Sequence, residues 1–255
     1  MKTSERLWDP ENNPDELFFG DIPMIHSYTP EVQKGDGAVI IFTGGGYRMR
    51  APHEAEPYAL KLNEMGLVAF VVDYRVSPSN CEWPVADAIK AMRTVRNKSH
   101  IYKINPNKIA VMGSSAGGHL AATCGNFNPF HMPNAQILCY PVTDIESHRG
   151  SYECLLGDDI DKADLWSPIT QAGKHTPPTF IWHTSSDPGV DVKGTYRYAA
   201  RLSELGVPVE MHIYPVGGHG LGLANGLYGR ATEPYVQRWI EDLERWLKLI
   251  GWITE

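Results

Sequence analysis

Short, nearly continuous apolar runs alternate along this chain with longer runs whose apolar positions recur every three or four residues. The short runs read as strands buried on both faces, at 38–42, 67–72, 109–112, 136–140, 179–183 and 209–214. The longer runs read as helices. One covers about 53–65 with Tyr58, Leu62 and Met65 on one face, and a second, opened by Pro84, carries Val85, Ile89, Met92 and Val95. A third begins near Ser115. A fourth carries Tyr198, Leu202 and Leu205, and the last carries Val236, Ile240, Leu243, Leu247 and Ile250. This order predicts one α/β domain over residues 1–255, a mostly parallel sheet with helices on both faces. Residues 1–37 read as a lead-in. Residues 144–178 read as an irregular insertion with room for a short helix or a small lid.

Candidate chemistry collects where predicted strands end. Gly113, Ser114, Ser115, Ala116 and Gly117 follow a strand and precede a helical run, the context of a G-x-S-x-G nucleophile elbow. The turn is tight, so the residues two before and two after the nucleophile must be small. Centred on Ser115 these are Gly113 and Gly117; centred on Ser114 they would be Met112 and Ala116, which selects Ser115. A second glycine run, Thr43 to Tyr47, follows the first predicted strand and lets backbone N–H groups converge on an anion. The expected donors are the amides of Gly45, Gly46 and Ala116. The run lacks the third glycine of G-x-G-x-x-G and the G-K-[ST] of a phosphate loop.

A base is expected after the last strand, where glycines flank His219. His119 reads as helix packing, His183 as a core or supporting residue, His53 as a helix-start residue with substrate contact as its alternative, and His212 as a strand-surface residue. An acid is expected after the preceding strand, where Asp187 is preferred over Asp191 and over Asp144. The order Ser115, Asp187, His219 is a Ser–Asp–His order along the chain. Tyr47, Tyr74 and Trp83 each follow a strand end and are candidates for an aromatic substrate rim.

Composition narrows the partners. The 23 basic and 30 acidic residues leave a net charge of −7, which argues against nucleic acid or an anionic membrane as partner. The four cysteines form no C-x-x-C pair, so neither a zinc site nor a redox motif is expected, and no metal or organic cofactor is implied. No apolar stretch approaches the roughly 20 residues of a membrane span, and residues 1–21 show no secretory apolar core, so a soluble, cytoplasmic protein is expected.

These stretches together resemble the α/β-hydrolase superfamily over nearly the whole chain. Within it, the chain looks like small acetylxylan-esterase-like or feruloyl-esterase-like enzymes related to the hormone-sensitive-lipase type. Thr43 to Tyr47 resembles their H-G-G-G-[YW]. Asp73, Tyr74, Arg75, Ser77 and Pro78 resemble [DN]-Y-R-x-[SA]-P. Trp83, Pro84, Asp87 and Ala88 resemble a helix start, and Gly113 to Leu120 resembles G-x-S-A-G-G-H-L. His183, Thr184 and Asp187 resemble H-T-x-x-D, and Gly217 to Gly220 resembles G-G-H-G. The resemblance implies the triad Ser115, Asp187 and His219 and a small-molecule ester substrate such as an acetylated xylan oligosaccharide. The short region before the first strand departs from the larger N-terminal cap of hormone-sensitive-lipase-type enzymes, so little or no cap and a more open site are expected. Thr43 departs from the usual histidine, which leaves the loop's support open. Fold and triad leave open an arylformamidase-like or peptidase-like amide hydrolase, or a catalytically inactive binding protein.

Overall fold

In the computed structural model, which describes residues 1–9, 22–76, 82–127 and 132–254, eight strands share one sheet: β1 (Lys2–Arg6), β2 (Met24–Tyr28), β3 (Ala38–Phe42), β4 (Val68–Asp73), β5 (Ile109–Ser114), β6 (Ala135–Cys139), β7 (Thr179–Thr184) and β8 (Val209–Tyr214). Their order is β1-β2-β4-β3-β5-β6-β7-β8. β1, β2 and β4 pair antiparallel, and every other neighbour pairs parallel. The six predicted strands are β3 to β8. β1 and β2 were expected as lead-in, because β1 is a polar edge strand that the hydrophobic pattern does not mark.

The strands take their buried places because their side chains alternate between two cores. Ala38, Ile40 and Phe42 of β3 face a layer built with α2 (Glu82–Asn97), α4 (Ala116–Phe127) and α7 (Val192–Glu204). Val39 and Ile41 face the opposite layer, built with α1 (Glu56–Glu64) and α8 (Trp239–Leu249). A one-residue slip of β3 would exchange the two sets. The short α3 (Ser99–Tyr102) follows α2.

The stretch 144–178 is mostly helical rather than irregular. It forms α5 (Arg149–Leu156), a 3-10 segment at Gly157–Trp166 and α6 (Pro168–Gln171). Tyr152, Leu155, Leu156 and Ala163 sink into the α2–α4–α7 layer, so hydrophobic burial holds this segment on the body. Its first turn, at His148 and Gly150, reaches the carboxyl-end rim of the sheet. Among the described residues no helix is long and apolar enough to cross a membrane.

Candidate active site

Open α/β sheets place their sites beyond the carboxyl ends of the strands, and four such ends converge here. Ser115 stands between β5 and α4 with φ 53°, a left-handed backbone rare for a residue with a side chain. Backbone hydrogen bonds hold the turn: Ser115 N donates to Cys139 O at 3.0 Å, and Ser115 O accepts from Val142 N at 3.1 Å. A Cβ on Gly113 would lie 2.0 Å from Gly117 O, and one on Gly117 would lie 2.2 Å from Phe42 O. The elbow therefore closes only with glycine at both positions.

After β8, His219 places Nε2 2.9 Å from Ser115 Oγ and Nδ1 2.8 Å from Asp187 Oδ2. Gly189 makes room for the ring, since a Cβ there would lie 2.7 Å from His219 Cγ. The Tyr140 ring meets the imidazole edge-on at 5.3 Å. Asp187 accepts four hydrogen bonds. His219 and His183 Nε2 (3.1 Å) donate to Oδ2; Gly189 N (2.7 Å) and Val190 N (3.0 Å) donate to Oδ1. Burial pushes this carboxyl upward, but the two histidines outweigh it and hold it well below the usual carboxylate range. An ionised carboxylate only accepts, so Nδ1 of His219 carries the proton and Nε2 is free to accept from Ser115.

The competing residues lie elsewhere. Asp191 caps α7 by accepting from Lys193 N at 2.9 Å. Asp144 pairs with Arg197 at 2.6 Å. His183 supports Asp187 and bonds Thr195 Oγ1 at 2.8 Å. His119 is buried between the Tyr47 hydroxyl (2.7 Å) and Trp166 O (2.8 Å), and burial pushes its pKa down to about 4. His212 bonds Glu210 at 2.9 Å on β8.

The glycine loop after β3 is held from below. Its Gly44 amide donates to Glu54 Oε2 at 2.6 Å, and the Tyr74 hydroxyl donates to Thr43 O at 2.6 Å. Gly45 and Gly46 line a cleft with Ser115, and Ala116 follows the serine at the start of α4. Glu54 is buried. Its Oε1 accepts from the Tyr140 hydroxyl at 2.7 Å, which itself accepts from Gly222 N at 3.0 Å. His53 Nε2 lies 3.4 Å from Glu54 Oε1 and 3.2 Å from Arg230 Nε, so carboxylate, imidazole and guanidinium form a row. Burial alone would raise the Glu54 carboxyl; His53, Tyr140 and the Gly44 amide together hold it below its ordinary value. The Thr43 hydroxyl, where the resembled loop begins with histidine, is buried without a hydrogen-bond partner among the described residues.

The expected aromatic rim is corrected. Tyr47 and Tyr74 are 1 % and 0 % exposed, pack edge-on at 6.3 Å and lie beneath the glycine loop rather than around it. Burying both rings while giving each hydroxyl a partner favours this inward placement. Trp83 is half-buried under the Arg75 guanidinium at 5.5 Å and does not line the cleft. Ser77, Pro78 and Cys81 lie outside the described residues. The cleft, about 620 Å³, is instead bordered by Arg48, Met49, His148, Tyr228 and Arg230. No local pattern marks these positions, or Glu54, which reads as an ordinary acid near a helix start. Among the described residues no group of three or more His, Cys, Asp or Glu could hold a metal ion.

The chain has relatives in sequence and in fold. The family described as BD-FAE matches residues 25–202. An acetylxylan esterase of Xylanibacter ruminicola is 32 % identical over 88 % of this chain and 47 % of its own length. The endo-1,4-beta-xylanase B of Butyrivibrio fibrisolvens is 32 % identical over 87 % of this chain and 38 % of its own. The chain thus spans less than half the length of these two relatives. The crystal structure of an acetyl ester-xyloside bifunctional hydrolase from Caldicellulosiruptor lactoaceticus superposes with a TM-score of 0.88 at 38 % identity, covering 99 % of this chain and 97 % of that one. A carboxylesterase from Lactobacillus plantarum shares the fold with a TM-score of 0.85 at 20 % identity, covering 100 % of this chain and 99 % of that one.

Proposed function

From the premise that the chain belongs to the BD-FAE family, we propose that it is a serine carboxylesterase that removes short acyl groups, acetyl first among them, from xylan-derived oligosaccharides. The observation that carries this reading is the unbroken line from Ser115 Oγ through His219 to Asp187 at 2.9 and 2.8 Å, opening on a cleft. The relatives named for acetylxylan and acetyl esters support the substrate class.

In this reading Ser115 attacks the ester carbonyl while His219 Nε2 takes its proton. Asp187 keeps the imidazole in the needed tautomer and stabilises its charged form. The developing oxyanion is met by the amides of Gly45, Gly46 and Ala116, aided by the positive end of α4. Glu54, by holding the Gly44 amide, sets the path of the loop that presents Gly45 and Gly46. It supplies support at the point where Thr43 replaces histidine. His219 then protonates the leaving alcohol, and water attacks the acyl-enzyme by the same route in reverse. A cytoplasmic setting, which would favour oligosaccharides over polymer, belongs to the same proposal.

Ser115→Ala is expected to lower turnover of a simple aryl acetate by about 10⁴ or more with an unchanged circular dichroism spectrum. Full activity in that variant would eliminate the reading. Acetylated xylo-oligosaccharides are expected to exceed the aryl acetate in kcat/KM; parity or less would remove the carbohydrate part.

A further inference from the structure

The chain carries a net charge of −7, yet its cleft is basic. Among the described residues the only carboxylate lining it is Glu54, and both Glu54 oxygens are already engaged. Arg48 and Arg230 also line it, and neither forms an ion pair with a carboxylate among the described residues. Elsewhere Arg50, Arg75, Arg149, Arg197, Arg201 and Arg245 each meet an Asp or Glu, while Arg96 donates to the Pro106 and Met132 carbonyls and Arg238 lies over the Tyr235 ring. Arg48 and Arg230 thus bring two guanidinium groups to a cleft whose one lining carboxylate among the described residues is already engaged.

Arg230 is also oriented. Its Nε donates to His53 Nε2 at 3.2 Å, and a Cβ on Gly220 would lie 2.9 Å from its Nη2. The guanidinium is thus held beside the residue that follows His219. The backbone beneath it is tied down as well: Arg230 N donates to Leu227 O at 3.2 Å, and Asn225 bridges to Thr232. A guanidinium that borders the cleft with its Nε already occupied leaves its terminal nitrogens for a carboxylate. Since His219 protonates the departing alcohol, the alcohol half of an ester lies on the His219 side, next to Arg230.

We propose that the cleft selects esters whose alcohol half carries a carboxylate, received by Arg230 with Arg48 adding charge from the opposite glycine-loop side. In an oligosaccharide the unit bearing a carboxylate is a uronic acid, so the favoured substrate class is an acetylated xylo-oligosaccharide with a uronic-acid branch. This inference rests on the esterase reading above and deepens it.

The test compares kcat/KM for an acetylated xylo-oligosaccharide carrying a glucuronic-acid branch with that for the same compound after its carboxyl is reduced to the alcohol. An aryl acetate is run alongside. The wild-type protein is expected to favour the acid at least about tenfold at low ionic strength, equivalent to about 1.4 kcal/mol. The ratio should fall as salt shortens the Debye length toward about 8 Å. Arg230→Gln should bring the ratio close to one, and Arg48→Gln should lower it less. Arg201→Gln, on α7 and paired with Glu204, should leave it unchanged. Turnover of both sugars at equal kcat/KM would overturn this inference while leaving the esterase reading intact. Hydrolysis of the aryl acetate alone would overturn the carbohydrate reading and this inference with it. An acid preference that survives Arg230→Gln would overturn the assignment of Arg230.

Discussion

Two buried carboxylates support the walls of this cleft, one through His219 and one through Gly44, and they arrive there by different routes. Asp187 follows β7, accepts four hydrogen bonds and gives one of its oxygens to His219. Glu54 follows the glycine loop, accepts from Gly44 N and the Tyr140 hydroxyl, and has its own histidine, His53, at 3.4 Å. Both are held ionised against burial by donors, as a buried charge must be. The difference is what they hold. Asp187 holds the imidazole that reaches Ser115 Oγ; Glu54 holds the Gly44 amide of the glycine loop. Similar surroundings therefore do not imply similar tasks, and the atom that each carboxylate touches separates them.

The largest break in this comparison comes from Asp187→Asn. An amide cannot accept equally from Gly189, Val190, His183 and His219, and it favours the wrong imidazole tautomer. Turnover of an aryl acetate is expected to fall about 10³- to 10⁴-fold with KM little changed, read by steady-state kinetics. Glu54→Gln should cost less, roughly 10²-fold in kcat, because it disturbs the path of the loop rather than the proton relay. If Glu54→Gln cost as much as Asp187→Asn, the division of labour drawn here would be wrong.

Acid sharpens the comparison from the side of stability. Both carboxyls sit below their unfolded values, so each contributes stability that is complete above about pH 4 and is lost as pH falls through the depressed native pKa. His119, held down to about 4 by burial, adds a loss that begins nearer pH 6.5 and grows until pH falls through about 4. Urea midpoints measured from pH 7 to pH 3 should therefore decline in two stages, and Asp187→Asn should flatten the lower one. A single stage unaffected by that substitution would contradict this account.

The smallest effect is expected at Thr43. Among the described residues its hydroxyl is buried without a partner, and its carbonyl, not its side chain, is held by Tyr74. Thr43→Val keeps the shape and removes the orphaned group. It should leave stability unchanged or raise it by up to about 1 kcal/mol, with kcat within about twofold, measured by thermal melts and kinetics. A large loss of activity would show that the hydroxyl, rather than Glu54, supports the loop.

Much of the fold was legible because its causes are local. Strands buried on both faces leave apolar runs, and β3 to β8 were marked in that way; the polar edge strand β1 leaves none. Tyr47 and Tyr74 show where local reasoning fails. A tyrosine after a strand end can turn outward to a substrate or inward to a core. The choice here depended on partners 72 and 31 residues distant, His119 and the Thr43 carbonyl.

What the sequence alone determined is the order of the strands along the chain, the tight glycine-flanked turn at Ser115 and the candidate acid and base in sequence order behind it. Those follow from steric limits on one short stretch of backbone and from the continuous apolar runs of strands covered on both faces. Tertiary structure alone decided that Glu54 lies under Gly44, that His183 shares Asp187 with His219, and that Arg48 and Arg230 border one cleft. Each of these depends on which distant groups are removed from water together, and the free energy of a buried charge is set by those neighbours rather than by the residues adjacent in the chain.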